Sequence, residues 1–216
     1  MLYDAIKRLI DIIGSSIAII FFSPIIIALV LVIKLTSDGP VFFTPLRVGK
    51  GGKLFQMLKF RSMQMYQIEG KTVHAEKYLK INPTLRKAYQ KNSFKLKDDP
   101  RITPVGHILR RLSLDELPQL FNVFVGDMTL VGPRAYQQDE LEHQQRVYPH
   151  TKKFVKVILE SRPGASGPWQ VSGRSFINFD KRVEMDAVYV KRRSILYDLQ
   201  VIIKTPIAMI TGRGAI

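Results

Sequence analysis

The chain has 216 residues, a length that suits one domain with an appendage. Its formal charge of +15 predicts an anionic partner, which could be nucleic acid, a membrane surface or a phosphorylated substrate. It has no cysteine, which excludes disulfides and thiolate metal sites. Basic motifs interleaved with aromatic residues are also absent, so we expect no nucleic-acid partner.

An uncharged apolar run extends over residues 12–33. At 1.5 Å per residue it can cross a hydrocarbon core about 30 Å thick, and it is too long for the apolar part of a usual signal peptide. Pro24 lies near its middle and removes one backbone hydrogen bond. The hydroxyl of Ser23 is well placed to satisfy the freed carbonyl. We therefore predict a kink at Ser23-Pro24.

Basic residues flank this run on both sides, with Lys7 and Arg8 before it and Lys34 after it. The positive-inside rule favours a cytoplasmic position for both flanks. A re-entrant helix, which enters the membrane, breaks at Ser23-Pro24 and returns, satisfies the rule. A straight spanning helix does not. The residues alone leave both courses open.

After the apolar run, the sequence predicts short strands followed mainly by helices. The strands lie between residues 35 and 65, and the polar, lysine-rich region 66–97 is typical of a solvated helical insertion. Residues 137–160 predict one helix, and 161–174 predict a Gly/Pro loop. Most of 181–210 is predicted to be helical, and its last part suits either a helix lying among lipid headgroups or a helix of the core.

An acidic pair, Asp115-Glu116, follows two arginines and precedes Pro118. One interpretation is a helix start, because Ser113 and Glu116 have the spacing of a capping box and acidic residues complement the helix dipole. The other is a catalytic site. An aspartate at a helix N-terminus stays ionised, the nearby N–H groups bind phosphate oxygens, and Arg110 can neutralise a diphosphate. The residues alone leave both interpretations open.

Six motifs follow one another along nearly the whole chain: Phe22-Ser-Pro24, Lys59-Phe-Arg-Ser-Met63, Ser113-Leu-Asp-Glu-Leu-Pro-Gln-Leu-Phe-Asn122, Gly126-Asp-Met-Thr-Leu-Val-Gly-Pro-Arg134, Arg162-Pro-Gly-Ala-Ser-Gly-Pro-Trp-Gln-Val-Ser-Gly-Arg174 and Glu184-Met-Asp186-Ala-Val-Tyr189. Together they resemble the signature of the bacterial sugar transferase family, the monotopic polyprenyl-phosphate phosphoglycosyl transferases, and in particular its hexosyl-phosphate type. The chain departs from the family pattern at Ala135, where a second proline is usual, and at Pro168 before the tryptophan. Both departures concern substrate-side loops.

The resemblance implies a small α/β domain on the cytoplasmic face of the bacterial inner membrane, with interfacial amphipathic helices. Residues 1–36 would form a re-entrant helix broken at Ser23-Pro24. Residues 37–216 would form the catalytic domain, with 66–97 as a helical insertion. Membrane lipids are then a partner, and a homo-oligomer stays open.

The resemblance also implies a reaction: transfer of a sugar phosphate from a UDP-sugar to polyprenyl (undecaprenyl) phosphate, the first membrane step of exopolysaccharide, O-antigen or glycoprotein glycan synthesis. Asp115 would attack the donor, release UMP and carry the phosphosugar. Mg²⁺ is the implied cofactor, held at Asp115, and Glu116 would orient the metal or assist proton transfer. Galactose or glucose is favoured over N-acetylated sugars. The alternative function is a non-catalytic membrane scaffold of a polysaccharide export complex.

Six cationic side chains are expected to contact phosphate or nucleotide: Lys59, Arg61, Arg110, Arg134, Arg162 and Arg174. Trp169 is expected either to stack on a base or sugar or to anchor the chain at the membrane interface. The four histidines fit no metal spacing, and we expect them on the surface or on helices: His74, His107, His143 and His150.

Overall fold

The computed structural model describes residues 2–91, 96, 99–173 and 176–211. Within them the chain forms ten α-helices and eight short strands, which confirms the mixed α/β class. The helices are α1 (Leu2–Thr36), α2 (Ala75–Ile81), α3 (Pro83–Lys91), α4 (Pro104–Arg111), α5 (Gln119–Val125), α6 (Gln138–Val147), α7 (Lys152–Ile158), α8 (Pro168–Ser172), α9 (Phe179–Arg192) and α10 (Ile195–Thr211). The strands are β1 (Phe42–Phe43), β2 (Leu46–Val48), β3 (Leu54–Gln56), β4 (Lys59–Phe60), β5 (Met65–Ile68), β6 (Lys71–His74), β7 (Thr129–Val131) and β8 (Gly164–Ser166).

The strands of the described chain pair in twos rather than in one central sheet. The pairs β1–β4, β2–β3 and β5–β6 are antiparallel, and β7–β8 is parallel. Beside β7–β8 the backbones of Gly132 and Gly164 approach so closely that a Cβ on Gly164 would lie 2.1 Å from the Gly132 nitrogen. This contact requires glycine, so the glycines of two of the motifs serve backbone packing.

The predicted helical insertion at 66–97 needs correction in its first half. β5 and β6 form a hairpin there, and its turn residues Glu69 and Gly70 both have positive φ. Two consecutive positive φ angles match the right-handed twist of paired strands. The helices α2 and α3 then follow, and residues 92–95 and 97–98 lie outside the described residues. The lysine-rich composition concealed the short alternating strands.

The single helix predicted over 137–160 is also wrong, because the chain forms two helices there. α6 ends at Val147 and α7 begins at Lys152, with a 3₁₀ turn from Pro149 to Thr151 between them. Pro149 cannot donate a backbone hydrogen bond and restricts Tyr148 before it, so the first helix ends there. The largest apolar core lies between these helices, α9 and β2, and includes Val48, Tyr136, Leu141, Val155, Ile158, Phe179 and Val183.

Helix α1 is the one helix of the described chain that is long and apolar enough to cross a membrane, with a mean hydropathy of 3.0 in its most apolar window. The helical conformation continues through Ser23 and Pro24. The carbonyl of Ile20, which Pro24 leaves without its usual donor, accepts a hydrogen bond from the Ser23 hydroxyl at 2.8 Å. The predicted role of Ser23 is therefore confirmed, while the re-entrant course stays a prediction.

One stripe of α1 packs against the rest of the protein. Lys7, Asp11 and Ser15 are buried at intervals of four residues, and Ile33 is buried near the other end. Asp11 accepts hydrogen bonds from the hydroxyl of Thr129 and the backbone N–H of Leu130, each at 2.9 Å. The opposite stripe exposes large apolar side chains, among them Ile13, Ile17, Ile20, Ile27 and Leu31.

A buried polar network joins the first turns of α1 to the C-terminal helices. Lys7 and Asp198 are 8% and 6% exposed, and their charged atoms lie 2.6 Å apart. Asp198 also accepts hydrogen bonds from the hydroxyls of Tyr3 and Tyr189. Because a buried carboxylate needs compensation of its charge, this network fixes the position of α1 relative to α9 and α10.

We expect Lys7→Met to destabilise the protein by about 3 kcal/mol, because it leaves the buried carboxylate of Asp198 without its cation. Urea unfolding in detergent, followed by circular dichroism, measures the change. Lys181→Met removes an exposed pair with Glu184 and should change the stability much less, because exposed ion pairs contribute little. The double variant Lys7→Met/Asp198→Leu should lose less stability than Lys7→Met alone. A Lys7→Met protein as stable as the Lys181→Met control contradicts the prediction.

Candidate active site

The acidic pair lies on a 3₁₀ turn, Leu114–Glu116, between α4 and α5. Ser113 precedes it with a φ of 56°, in the left-handed region that is uncommon for a residue with a side chain. Its side chain makes no capping hydrogen bond, so the capping-box interpretation is wrong. The strained backbone at Ser113 instead turns the acidic pair toward a cavity, as strained residues at functional sites often do.

Lys59 contacts both acidic side chains. Its ammonium nitrogen is 2.7 Å from Glu116 Oε1 and 3.5 Å from Asp115 Oδ2. Burial raises the pKa of Asp115 above the ordinary value, and the nearby charge of Glu116 raises it too, whereas Lys59 and Arg110 lower it. The two cations therefore favour the ionised form that a nucleophilic carboxylate requires.

The pair opens into a cavity of about 280 Å³. Of the described residues that line it, eight are cationic and six are anionic, so the wall suits a negatively charged ligand. Five sequence-predicted residues meet here: Lys59, Arg110, Asp115, Glu116 and Arg134.

Two of the predicted arginines do not line the cavity, and a third lies outside the described residues. Arg61 is buried and donates to the carbonyls of Ser37 and Asp38, just beyond the C-terminus of α1. There its charge satisfies helix-end carbonyls and complements the helix dipole. Arg162 is exposed and away from the cavity lining. Arg174 is the third.

Trp169 forms part of the cavity wall between two guanidinium groups. The Cζ atoms of Arg134 and Arg182 lie 4.9 and 5.3 Å from its ring centroid. Trp169 is 7% exposed, so its expected alternative role as an anchor at the membrane interface is wrong. Cation–π contacts of this kind hold both arginines in place.

The same end of the cavity presents buried polar atoms that make no hydrogen bond within the described part of the chain. They are the Nε atoms of Arg47, Arg134 and Arg182, Nε1 of Trp169 and Oε1 of Gln170. Buried polar groups are normally satisfied, so these atoms indicate a polar ligand or ordered water.

Asp186 holds the backbone of Arg134 at this end of the cavity. It is fully buried, and Oδ2 accepts a hydrogen bond from the backbone N–H of Arg134 at 2.9 Å. Burial raises the pKa of Asp186 to about 7. The carboxyl group thus fixes the backbone from which the Arg134 side chain extends. Asp186 belongs to one of the family motifs, but no role was predicted for it from the sequence.

Other cavity residues escaped the sequence analysis because distant segments bring them together. Asp99 and Arg101 form a buried two-bond ion pair, with distances of 2.8 and 2.6 Å. His74, expected on the surface or on a helix, immediately precedes α2, accepts a hydrogen bond from the backbone N–H of Glu76 and stacks on Phe43. Burial and nearby arginines lower the pKa of His74 to about 4. The sequence Asp-Pro-Arg could have indicated the ion pair of Asp99 with Arg101. No sequence pattern indicates the position of His74 in the cavity.

Comparison with known proteins identifies the family. A family model described as "Bacterial sugar transferase" matches residues 2–212. The chain is 43% identical over 211 residues to the undecaprenyl-phosphate galactose phosphotransferase of Salmonella typhimurium, covering 97% of this chain and 41% of that protein. It is 40% identical over 209 residues to the exopolysaccharide production protein ExoY of Rhizobium meliloti, covering 97% and 87%.

A third relative is the UDP-galactose-lipid carrier transferase of Erwinia amylovora, which is 38% identical over 210 residues and is matched over 41% of its length. The chain thus spans about two fifths of the length of two of these relatives and most of the length of ExoY. The family match extends over both the apolar helix and the acidic turn. The chain belongs to the bacterial sugar transferase family.

Proposed function

We propose that this enzyme transfers a sugar phosphate from a UDP-sugar to polyprenyl phosphate, with Asp115 as a covalent nucleophile. The observation that carries the proposal is the buried Asp115 carboxylate, which opens into a cation-rich cavity beside Lys59. The substrate pair is supported by two relatives, the undecaprenyl-phosphate galactose phosphotransferase and the UDP-galactose-lipid carrier transferase.

The proposed reaction has two displacements at one phosphorus atom. A carboxylate oxygen of Asp115 bonds to the β-phosphorus, and the bond from that phosphorus to the oxygen bridging the two phosphates breaks, which releases UMP. A phosphate oxygen of the polyprenyl phosphate then attacks the same phosphorus, and the carboxylate leaves as polyprenyl diphosphate-sugar forms. Lys59 and Arg110 stabilise charge on the transferred group, since both line the cavity near Asp115.

The acidic pair fits the expected Mg²⁺. The described residues contain no cluster of three or more metal-binding side chains, but Mg²⁺ in phosphate chemistry often uses one or two carboxylates together with substrate oxygens. Asp115 and Glu116 supply two adjacent carboxylates, and Lys59 contacts both. Bound there, the ion would offset the charge of the phosphates. Glu116 has the partly exposed position from which it can orient such an ion.

The donor nucleotide has a suitable binding region at the tryptophan end of the cavity. Arg134, Arg182 and Trp169 offer unsatisfied donors, and Gln170 offers an unsatisfied acceptor. A nucleotide supplies both phosphate oxygens and a base with mixed donors and acceptors. Galactose or glucose remains the favoured sugar, and two relatives are named for galactose. The name of ExoY favours exopolysaccharide synthesis as the pathway. The non-catalytic scaffold is not favoured, because it needs none of these groups.

We infer a re-entrant course for α1 on the cytoplasmic side of the inner membrane. Contacts with the catalytic domain occur at both ends of the helix, at Lys7 with Asp198 and at Ile33 with Phe60 and Leu117. Along a straight helix these ends would be about 39 Å apart, which exceeds the hydrocarbon core. A spanning helix would place one end across the membrane, away from its partners. Exposed apolar residues of α5 and α10 extend the same lipid-facing surface: Phe121, Phe124, Val125, Leu196, Leu199, Ile203 and Ile207.

We expect Asp115→Asn to lower the rate of UMP release on the order of 10⁴-fold, because the amide oxygen is a poor nucleophile. The assay contains purified protein, a UDP-sugar and polyprenyl phosphate, and circular dichroism checks the fold. Glu142→Gln, an exposed change on α6, is the control and should leave the rate unchanged. A well-folded Asn variant with a rate near that of the wild type excludes the covalent role.

We expect excess chelator to abolish UMP release and added Mg²⁺ to restore it. At least three negative groups, namely the two carboxylates and the donor diphosphate, would otherwise meet in one buried place. The measurement is UMP release across a titration with chelator and then with Mg²⁺. Ca²⁺, which prefers longer bonds and more ligands, is the comparison ion and should restore less activity. Full activity in excess chelator rules out a required divalent ion.

We expect both ends of α1 to be protected from a membrane-impermeant thiol reagent in intact cells. Single cysteines at Leu2, which is exposed, and at Lys87 in the domain suit this test, because the chain has no native cysteine. Neither should be labelled in intact cells, and both should react after lysis, which controls for reactivity. Labelling at position 2 in intact cells would show a spanning helix.

A further inference from the structure

A lobe formed by residues 65–91, comprising β5, β6, α2 and α3, makes one wall of the cavity. It joins the rest of the domain through polar and aromatic contacts. The side-chain amide of Gln137 donates to Glu76 at 3.0 Å, the Arg101 guanidinium lies 5.3 Å from the ring centroid of Tyr89, and the ring of His74 stacks on Phe43. The lobe thus shares the cavity wall with Asp115, and two of its cavity-lining cations are available to a ligand.

Two cations of the lobe, Lys80 and Arg86, line the cavity without an ion pair or a hydrogen bond to any described residue. Two of the cations supplied by the body of the domain are engaged. Lys59 contacts the acidic pair, and Arg101 is paired with Asp99. Unpaired charges on a concave wall attract an oppositely charged ligand and can bind it through charge-assisted hydrogen bonds.

The outer surface of the lobe indicates which phosphate-bearing substrate meets these cations. Ile81 is the one large apolar side chain that is highly exposed among the described residues of the lobe, whereas α1, α5 and α10 carry many. The lobe thus lacks the apolar surface of an element in lipid and faces water. The water-soluble donor approaches from this side, and the lipid acceptor approaches from the side of α1.

We propose that Lys80 and Arg86 bind the diphosphate of the nucleotide-sugar donor and hold it against the cavity wall before Asp115 attacks. This assignment rests on the proposed function. Lys59 and Arg110 lie beside Asp115 and stabilise the charge that develops during transfer, so loss of Lys80 and Arg86 should weaken donor binding more than it slows the chemical step. The KM for the donor should then rise more than kcat falls.

The test compares the double variant Lys80→Gln/Arg86→Gln with the matched control Lys77→Gln/Lys87→Gln. The control removes two exposed lysines from the same two helices, and neither of them lines the cavity. UMP release by full-length protein in lipid nanodiscs is measured against UDP-sugar and against polyprenyl phosphate. The Kd of UDP itself is measured by equilibrium dialysis, without turnover.

We expect the cavity variant to raise the KM for UDP-sugar and the Kd of UDP about tenfold, with a smaller fall in kcat and with the KM for polyprenyl phosphate within about twofold of the wild type. Salt should weaken UDP binding less steeply in the cavity variant than in the control. Equal UDP binding by the two variants overturns the proposal. A changed KM for the acceptor alone also overturns it. If the wild type binds UDP but never releases UMP, the proposed function fails while the binding site stands.

Discussion

The contact of Lys59 with Asp115 and Glu116 is the interaction on which the active site depends, and adjacent residues hold it in place. Phe60 follows Lys59, and Leu117 follows Glu116. Both apolar side chains enter one cluster with Ile33 of α1. Lys59 and Glu116 line the cavity, while Phe60 and Leu117 pack against α1. The geometry of the acidic pair is therefore coupled to the docking of α1.

The contacts of α1 with the domain also account for the buried charged residues on this apolar helix. Lys7 and Asp11 would be costly in hydrocarbon, yet both are satisfied by the domain, through Asp198 and through the start of β7. Leu117 and Ile33 bring the other end of α1 to the acidic turn. An acceptor phosphate with its lipid tail beside α1 would have a short path to Asp115.

The cavity divides its binding groups between two structural parts. The body of the domain supplies the acidic pair, Arg110 and the tryptophan end, where two arginines stack on Trp169. The lobe supplies Lys80 and Arg86, whose side chains make no ion pair or hydrogen bond to any described residue. In the proposed function, such a division would separate the chemistry at Asp115 from the capture of the donor.

The sequence by itself determined the apolar helix, the hydrogen bond of Ser23 to the carbonyl freed by Pro24, and the acidic pair with Lys59 and Arg110. These features depend on local composition, on spacing or on a long co-linear resemblance. Only the tertiary structure decided that Arg61 binds carbonyls just beyond the end of α1, that Trp169 is buried between arginines, and that Lys80 lines the same cavity as Asp115. Each of these depends on contacts between segments far apart in the chain, and the direction of a long charged side chain is set by such contacts rather than by its sequence neighbours.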